Sequence, residues 1–108
     1  MKGFTINVLG TVYEIKYVEL KDENIDGDCD STAHLIRIRS DNTNDVKNMD
    51  ELQKVTLRHE IIHASLFESG LGFSWQHPKQ FGHDETTVDW FARLSPKIFK
   101  VFQELGIL

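Results

Sequence analysis

At 108 residues, with 40% hydrophobic residues and a formal net charge of −5, the chain has the size and apolar content of one compact domain. No apolar run approaches the roughly 20 residues that span a bilayer, and the opening MKGFTINVLGTVYEIKY alternates in polarity instead of forming the apolar block of a secretory signal. Charges of both signs are scattered without a basic cluster, so nucleic acid is not an expected ligand, and the single cysteine, Cys29, has no internal disulfide partner, so a cytoplasmic protein without membrane attachment is expected.

Phe4, Ile6 and Val8 alternate with Thr5 and Asn7, the period of a strand. Leu9-Gly10 supplies a tight turn, and Val12 to Val18 forms a second strand with Tyr13, Ile15 and Tyr17 on one face, completing a β-hairpin. Residues 21 to 32, KDENIDGDCDST, read as a polar loop. Asp26, Asp28 and Asp30 alternate within it like the start of an EF-hand, but the sixth and twelfth positions hold Ser31 and Arg37 instead of glycine and glutamate, so a calcium loop is not expected. Cys29 lies between two aspartates, whose charge disfavours a thiolate, and reads as an ordinary thiol. Ala33 to Arg39 reads as a half-exposed third strand, with Ile36 and Ile38 inward, Arg37 and Arg39 outward, and His34 a surface strand residue.

After the polar stretch Ser40 to Lys47 the period changes. Leu52, Val55, His59, Ile62, His63, Leu66 and Phe67 recur at helical spacing, Asn48 with Glu51 resembles a capping box, and Gly70 is a stop, so one helix of about 20 residues is predicted. Residues 71 to 83 hold Trp75, His77 and Phe81 and read as a long functional loop. Asp84 caps a last helix beginning near Glu85, with Val88, Phe91, Leu94, Ile98, Val101, Phe102 and Leu105 on its apolar side and Gly106 at its end. Pro96 falls inside this pattern and predicts a kink, or two abutting helices with Ser95 as the second cap. Trp90, Phe91, Phe99 and Phe102 read as core. The whole, residues 1 to 108, is expected to be a single α+β domain: a short three-stranded antiparallel or mixed sheet packed on two long helices.

The residues that carry chemistry lie in TLRHEIIHASLFESG, residues 56 to 70. His59 and His63 are four apart, so a helix points both imidazoles at one spot, and zinc accepts neutral imidazole nitrogens in a tetrahedral shell. Glu60 sits about 100° around the helix from His59, placed to take a proton from a zinc-bound water without being a ligand. A catalytic zinc site needs a third protein ligand and an open position. HDETTVDW, residues 83 to 90, offers Glu85 as that ligand, with His83 as the alternative. Asp89, one turn beyond Glu85, can accept the free ring N–H of a ligand histidine and fix its tautomer.

HEIIH followed by ETTVD resembles the gluzincin branch of the zincin metallopeptidases, and the VDWFA stretch and the short strand-rich start are similar to small zincin-like proteins encoded by phages and other mobile elements. The resemblance implies His59, His63 and Glu85 as zinc ligands, Glu60 as the catalytic general base and Asp89 as the partner of a ligand histidine. It implies a hydrolase acting on a peptide or protein substrate, with the Ala33 to Arg39 strand as the edge that pairs with extended peptide. Tyr13, Tyr17, His77, His83 and Arg93 are each able to donate to an oxyanion, and the sequence does not choose among them. A second reading is a non-catalytic zinc-binding interaction protein in which the metal staples the helices, and a third is a metal-free helical adaptor.

Overall fold

The computed structural model describes residues 2–69 and 84–108. Strands β1 (Phe4–Val8), β2 (Thr11–Val18), β3 (Gly27–Asp30) and β4 (Leu35–Arg39) precede helices α1 (Met49–Glu68) and α2 (Glu85–Glu104). The strands form one mixed sheet in the order β1-β2-β4-β3, with β2 and β4 parallel and the two outer pairings antiparallel. The α+β class and the two helices match the sequence reading. The fourth strand does not, because β3 lies in the stretch expected to be loop.

The reason is the composition of β3. Its inward positions are Gly27 and Cys29, and its outward positions are aspartates, so the apolar alternation that marks a strand is absent. Its presence also moves β4. The strand expected at the edge pairs on both sides and sits inside the sheet, and among the described residues β3 is the edge beside the helices. β4 begins at Leu35, and His34 stands in the preceding turn at φ 52, with its ring 5.3 Å from that of Tyr13.

One face of the sheet carries the core. Tyr13, Ile15, Ile36 and Ile38 are fully buried there, joined by Val8 and by Ala64 of α1. Each large aliphatic side chain among them contributes about 1.5–3 kcal/mol on leaving water. The face beyond holds Glu14, Lys16 and Arg37 in solvent, with Glu14 and Lys16 paired at 3.1 Å. Arg39, expected outward, is buried. Its guanidinium donates to the carbonyls of Leu20 (3.1 Å), Asp22 and Ile25 (2.8 Å) and pairs with Asp41 (2.7 Å). It therefore ties the 20–25 connection, and with it the start of β3, to β4.

α1 starts where expected, with Asn48 Oδ1 accepting from the Glu51 amide at 3.1 Å. Its last turn is held to the hairpin by Glu68, which accepts from Thr11 Oγ1 at 2.6 Å and from the Tyr13 hydroxyl at 2.8 Å. α1 comes closest to β3 at Gly27: a Cβ there would lie 2.7 Å from the Arg37 carbonyl oxygen, 2.8 Å from Thr56 Cγ2 and 3.5 Å from Glu60 Cγ. Only glycine permits this approach.

α2 is one continuous helix across Pro96, not two abutting ones. Proline has no N–H to give to the carbonyl four residues earlier, that of Ala92. Arg58 of α1 donates its Nε to that carbonyl instead. The helix ends in a Schellman motif as its sequence predicts: the Gly106 amide donates to Gln103 (3.1 Å) and the Ile107 amide to Phe102 (3.0 Å), with Gly106 at φ 66. Packing against α1 uses Val88, Ala92 and Ser95. Trp90, Phe91, Phe99 and Phe102, expected in the core, are exposed: Trp90 and Phe91 lie off the Val88, Ala92 and Ser95 face that is buried, and from Phe99 onward the helix has no buried residue. Among the described residues no helix is long and apolar enough to cross a membrane. Gly70, Trp75, His77, Phe81 and His83 lie outside the described residues.

Candidate metal centre

His59 and His63 lie on the α1 face that meets the start of α2. Asp84 caps α2 by accepting from the Thr87 amide at 3.0 Å, and this fixes where the first turn, and Glu85 within it, begins. The Nε2 atoms of the two histidines stand 3.2 Å apart. Glu85 closes the triangle, with Oε2 at 2.9 Å from His59 Nε2 and Oε1 at 3.0 Å from His63 Nε2. Three ligand-type atoms thus converge on one point, and the cluster can hold a metal ion. Donors about 2.0–2.1 Å from a tetrahedral zinc stand about 3.3 Å from one another, so the observed separations need only a small expansion to admit such an ion. The Glu85 side chain is 73% exposed, so the cluster opens to solvent on that side.

Asp89 approaches the other nitrogen of His59, with Oδ1 3.5 Å from Nδ1. Its second oxygen accepts from Arg93 Nε at 2.8 Å. That hydrogen bond, followed by the charges of Arg93 and His59, holds the Asp89 carboxyl below the usual range.

Glu60 faces the sheet side of the same cleft. It is 6% exposed and has no hydrogen-bond partner among the described residues. Burial pushes its carboxyl up to about 8, and the charges of Glu85 and Asp28 add to the shift. A cation between the two imidazoles acts in the opposite sense, favouring the carboxylate.

The cleft around these groups consists of two adjoining cavities of about 210 and 330 Å³. One wall is His59, Glu60 and Thr56 of α1, another is Glu85, Asp89 and Arg93 of α2, and the floor is Ile25 to Cys29.

The structure therefore brings together His59, His63, Glu85, Glu60 and Asp89. Of the oxyanion candidates, Arg93 lines the cleft. Tyr13 does not, because its hydroxyl is committed to Glu68; burial, followed by that hydrogen bond, raises its pKa. Tyr17 lines neither cavity, and its hydroxyl is buried without a partner among the described residues. His77 and His83 lie outside the described residues. Cys29 borders the cleft, and burial, followed by the charges of Glu60, Asp28 and Asp30, pushes its thiol up to about 12, as expected of an unreactive cysteine. Sequence reasoning missed the floor: Gly27 and its neighbours carry no apolar pattern, and only the alternation of aspartates hinted at an extended strand.

Comparison of the chain with known protein families, with curated proteins and with solved structures gave no significant match. What fold and site define together is an α+β domain with a two-histidine, one-carboxylate cluster able to hold a metal ion.

Proposed function

We propose that the chain is a zinc-dependent metallopeptidase of the gluzincin type, built as a minimal zincin-like domain and acting in the cytoplasm. One observation carries the reading: His59 Nε2, His63 Nε2 and the Glu85 carboxylate converge within 3.2 Å of one another, beside a buried carboxylate that has no partner among the described residues. His59, His63 and Glu85 would hold zinc, and when bound the metal supplies a Lewis acid that polarises a carbonyl and lowers the pKa of water to about 7. Glu60 accepts the proton of the attacking water as its oxygen bonds to the peptide carbonyl carbon. It then returns that proton to the departing amine nitrogen as the C–N bond breaks. Asp89 keeps the His59 ring in one orientation and tautomer. Arg93 donates its Nε to Asp89 and lines the cleft, and its terminal nitrogens would be the donors offered to a developing oxyanion. Among the described residues no strand covers the outer edge of β3, so an extended peptide would find main-chain groups there to pair with.

The test is Glu60→Gln. The variant is expected to keep its zinc, measured by metal analysis of protein purified without added metal, and to lose hydrolysis of an unstructured protein substrate by about 10²–10⁴-fold. Undiminished hydrolysis in a zinc-loaded variant refutes the mechanism.

A second reading, a zinc-stapled interaction protein without turnover, draws support from the exposed apolar residues Trp90, Leu94, Phe99, Val101 and Phe102 on α2. It requires four protein ligands on the metal, which spectroscopy of a cobalt-substituted protein distinguishes from three ligands and an open position.

A further inference from the structure

α2 carries an apolar line that no described element covers. Phe91, Leu94, Ile98, Val101 and Leu105 follow one another at steps of three, four, three and four residues. That is the 3.5-residue period by which a helix keeps one continuous face toward a second helix, the a and d positions of a heptad. Val88, Ala92 and Ser95, which pack on α1, lie on a neighbouring flank, about 100° around the helix. Glu85, Asp89 and Arg93, which line the metal cleft, lie on the far side, as does Pro96. The line therefore serves neither the core nor the site. Ile98 is half-buried, and the other four side chains are 36–67% exposed. With Phe102 beside it and Ile107 and Leu108 beyond the closing turn, the face offers on the order of 600 Å² of apolar surface, close to the roughly 800 Å² that each partner gives to a stable interface.

The charges along its edge identify what fits there. Lys97 and Glu104 hold the two g positions, on the edge of the line away from α1. Both are exposed, and neither has an ion pair among the described residues. In a two-fold contact between identical chains, residue i meets residue j and j meets i. Two α2 helices crossing antiparallel about a point between Phe99 and Lys100 set Ile98 against Val101 of the second copy and Leu94 against Leu105. Phe91 then faces the chain end that carries Ile107 and Leu108. In this one register Lys97 comes beside Glu104 of the second copy, and the pair recurs at the other end of the contact. A parallel pairing sets Lys97 toward Phe102 and leaves Glu104 without a counterpart. Two heptads are short for a free coiled coil, but α1 already holds the first half of α2, so the contact does not bear the cost of nucleating a helix.

We propose that a second copy of this chain covers this face, the two α2 helices packing antiparallel with Lys97 and Glu104 paired across the contact at both ends. The metal clefts lie on the opposite side of each helix and stay open. The inference is independent of what the metal cluster does.

The experiment is sedimentation velocity on the full chain between about 5 and 500 µM, where a concentration-dependent monomer–dimer equilibrium is expected. Val101→Asp, at an exposed seam position, should weaken the dimer about 100-fold or more while leaving the circular dichroism of dilute protein unchanged. Lys97→Glu and Glu104→Lys each replace two attractions by two repulsions and should each weaken it about tenfold, less at about 0.5 M salt. The double variant carrying both changes should recover the affinity, and an equal mixture of the two single variants should dimerise more tightly than either alone. A chain that stays monomeric at the highest concentration overturns the proposal. In that case a loss of unfolding stability on Val101→Asp would assign the face to another segment of the same chain, and binding to anionic vesicles would assign it to a lipid surface. A dimer indifferent to Val101→Asp, or a double variant no tighter than its parents, overturns it as well.

Discussion

Arg58 donates its Nε to the carbonyl of Ala92, the carbonyl that Pro96 leaves without a partner in its own helix. A proline that should break α2 thereby becomes a docking point between the two helices that meet at the metal cluster. Arg58→Met removes the donor and leaves a part-buried carbonyl unsatisfied, at an expected cost of about 1–3 kcal/mol in urea unfolding. Pro96→Ala restores an amide for Ala92, so Arg58→Met should cost measurably less in that background. A double-mutant cycle with no coupling would show that the contact is incidental.

His59 is held from both ends of its ring, by Glu85 at Nε2 and by Asp89 at Nδ1. Asp89→Asn keeps the size of the side chain and removes the charge that fixes the tautomer. Zinc affinity, read by competition with a chromophoric chelator, should fall about 10–100-fold. His63→Ala, which removes a corner of the cluster, should cost more than Asp89→Asn. The opposite ranking would mean that the metal binds elsewhere.

Gly27→Ala tests the approach of β3 to α1. The added methyl meets a carbonyl oxygen of β4 and the Thr56 methyl, and the backbone oxygen cannot swing aside. A loss of about 1–3 kcal/mol is expected. Thr56→Ser, which removes only the methyl, should recover little of it.

In the metal-free protein, Glu60 gives stability a pH dependence of definite sign. Its carboxyl is raised from 4.5 to about 8, so the folded state keeps a proton that the unfolded chain releases. The stabilisation is complete below pH 4.5 and is lost as pH rises toward 8, with a slope of at most about 1.4 kcal/mol per pH unit. Chemical denaturation at several pH values should show this decline in metal-free protein, and Glu60→Gln should flatten it. Because a bound cation favours the carboxylate, zinc should flatten it as well. Identical pH profiles for the unaltered protein and the Glu60→Gln variant would contradict the burial of an unpartnered carboxyl.

The amino-acid sequence by itself determined the elements whose signals are local. The hairpin follows from period-two alternation, α1 from its apolar spacing and the Asn48 cap, and α2 from the Asp84 cap and Gly106. The facing of His59 and His63 follows from four-residue spacing alone, since an α-helix returns to the same face after about one turn. Tertiary structure decided what depends on distant partners. β3 is a strand because β4 supplies its ladder, not because its residues favour one. Arg39 is buried because three carbonyls and Asp41 surround it. α2 survives Pro96 because Arg58 reaches across. The aromatics of α2 stay exposed because helical periodicity marks an apolar face without saying whether another element covers it. Glu85 joins the histidines only because the α1–α2 packing places a helix start, 26 positions along the chain, within 3.0 Å of both imidazoles.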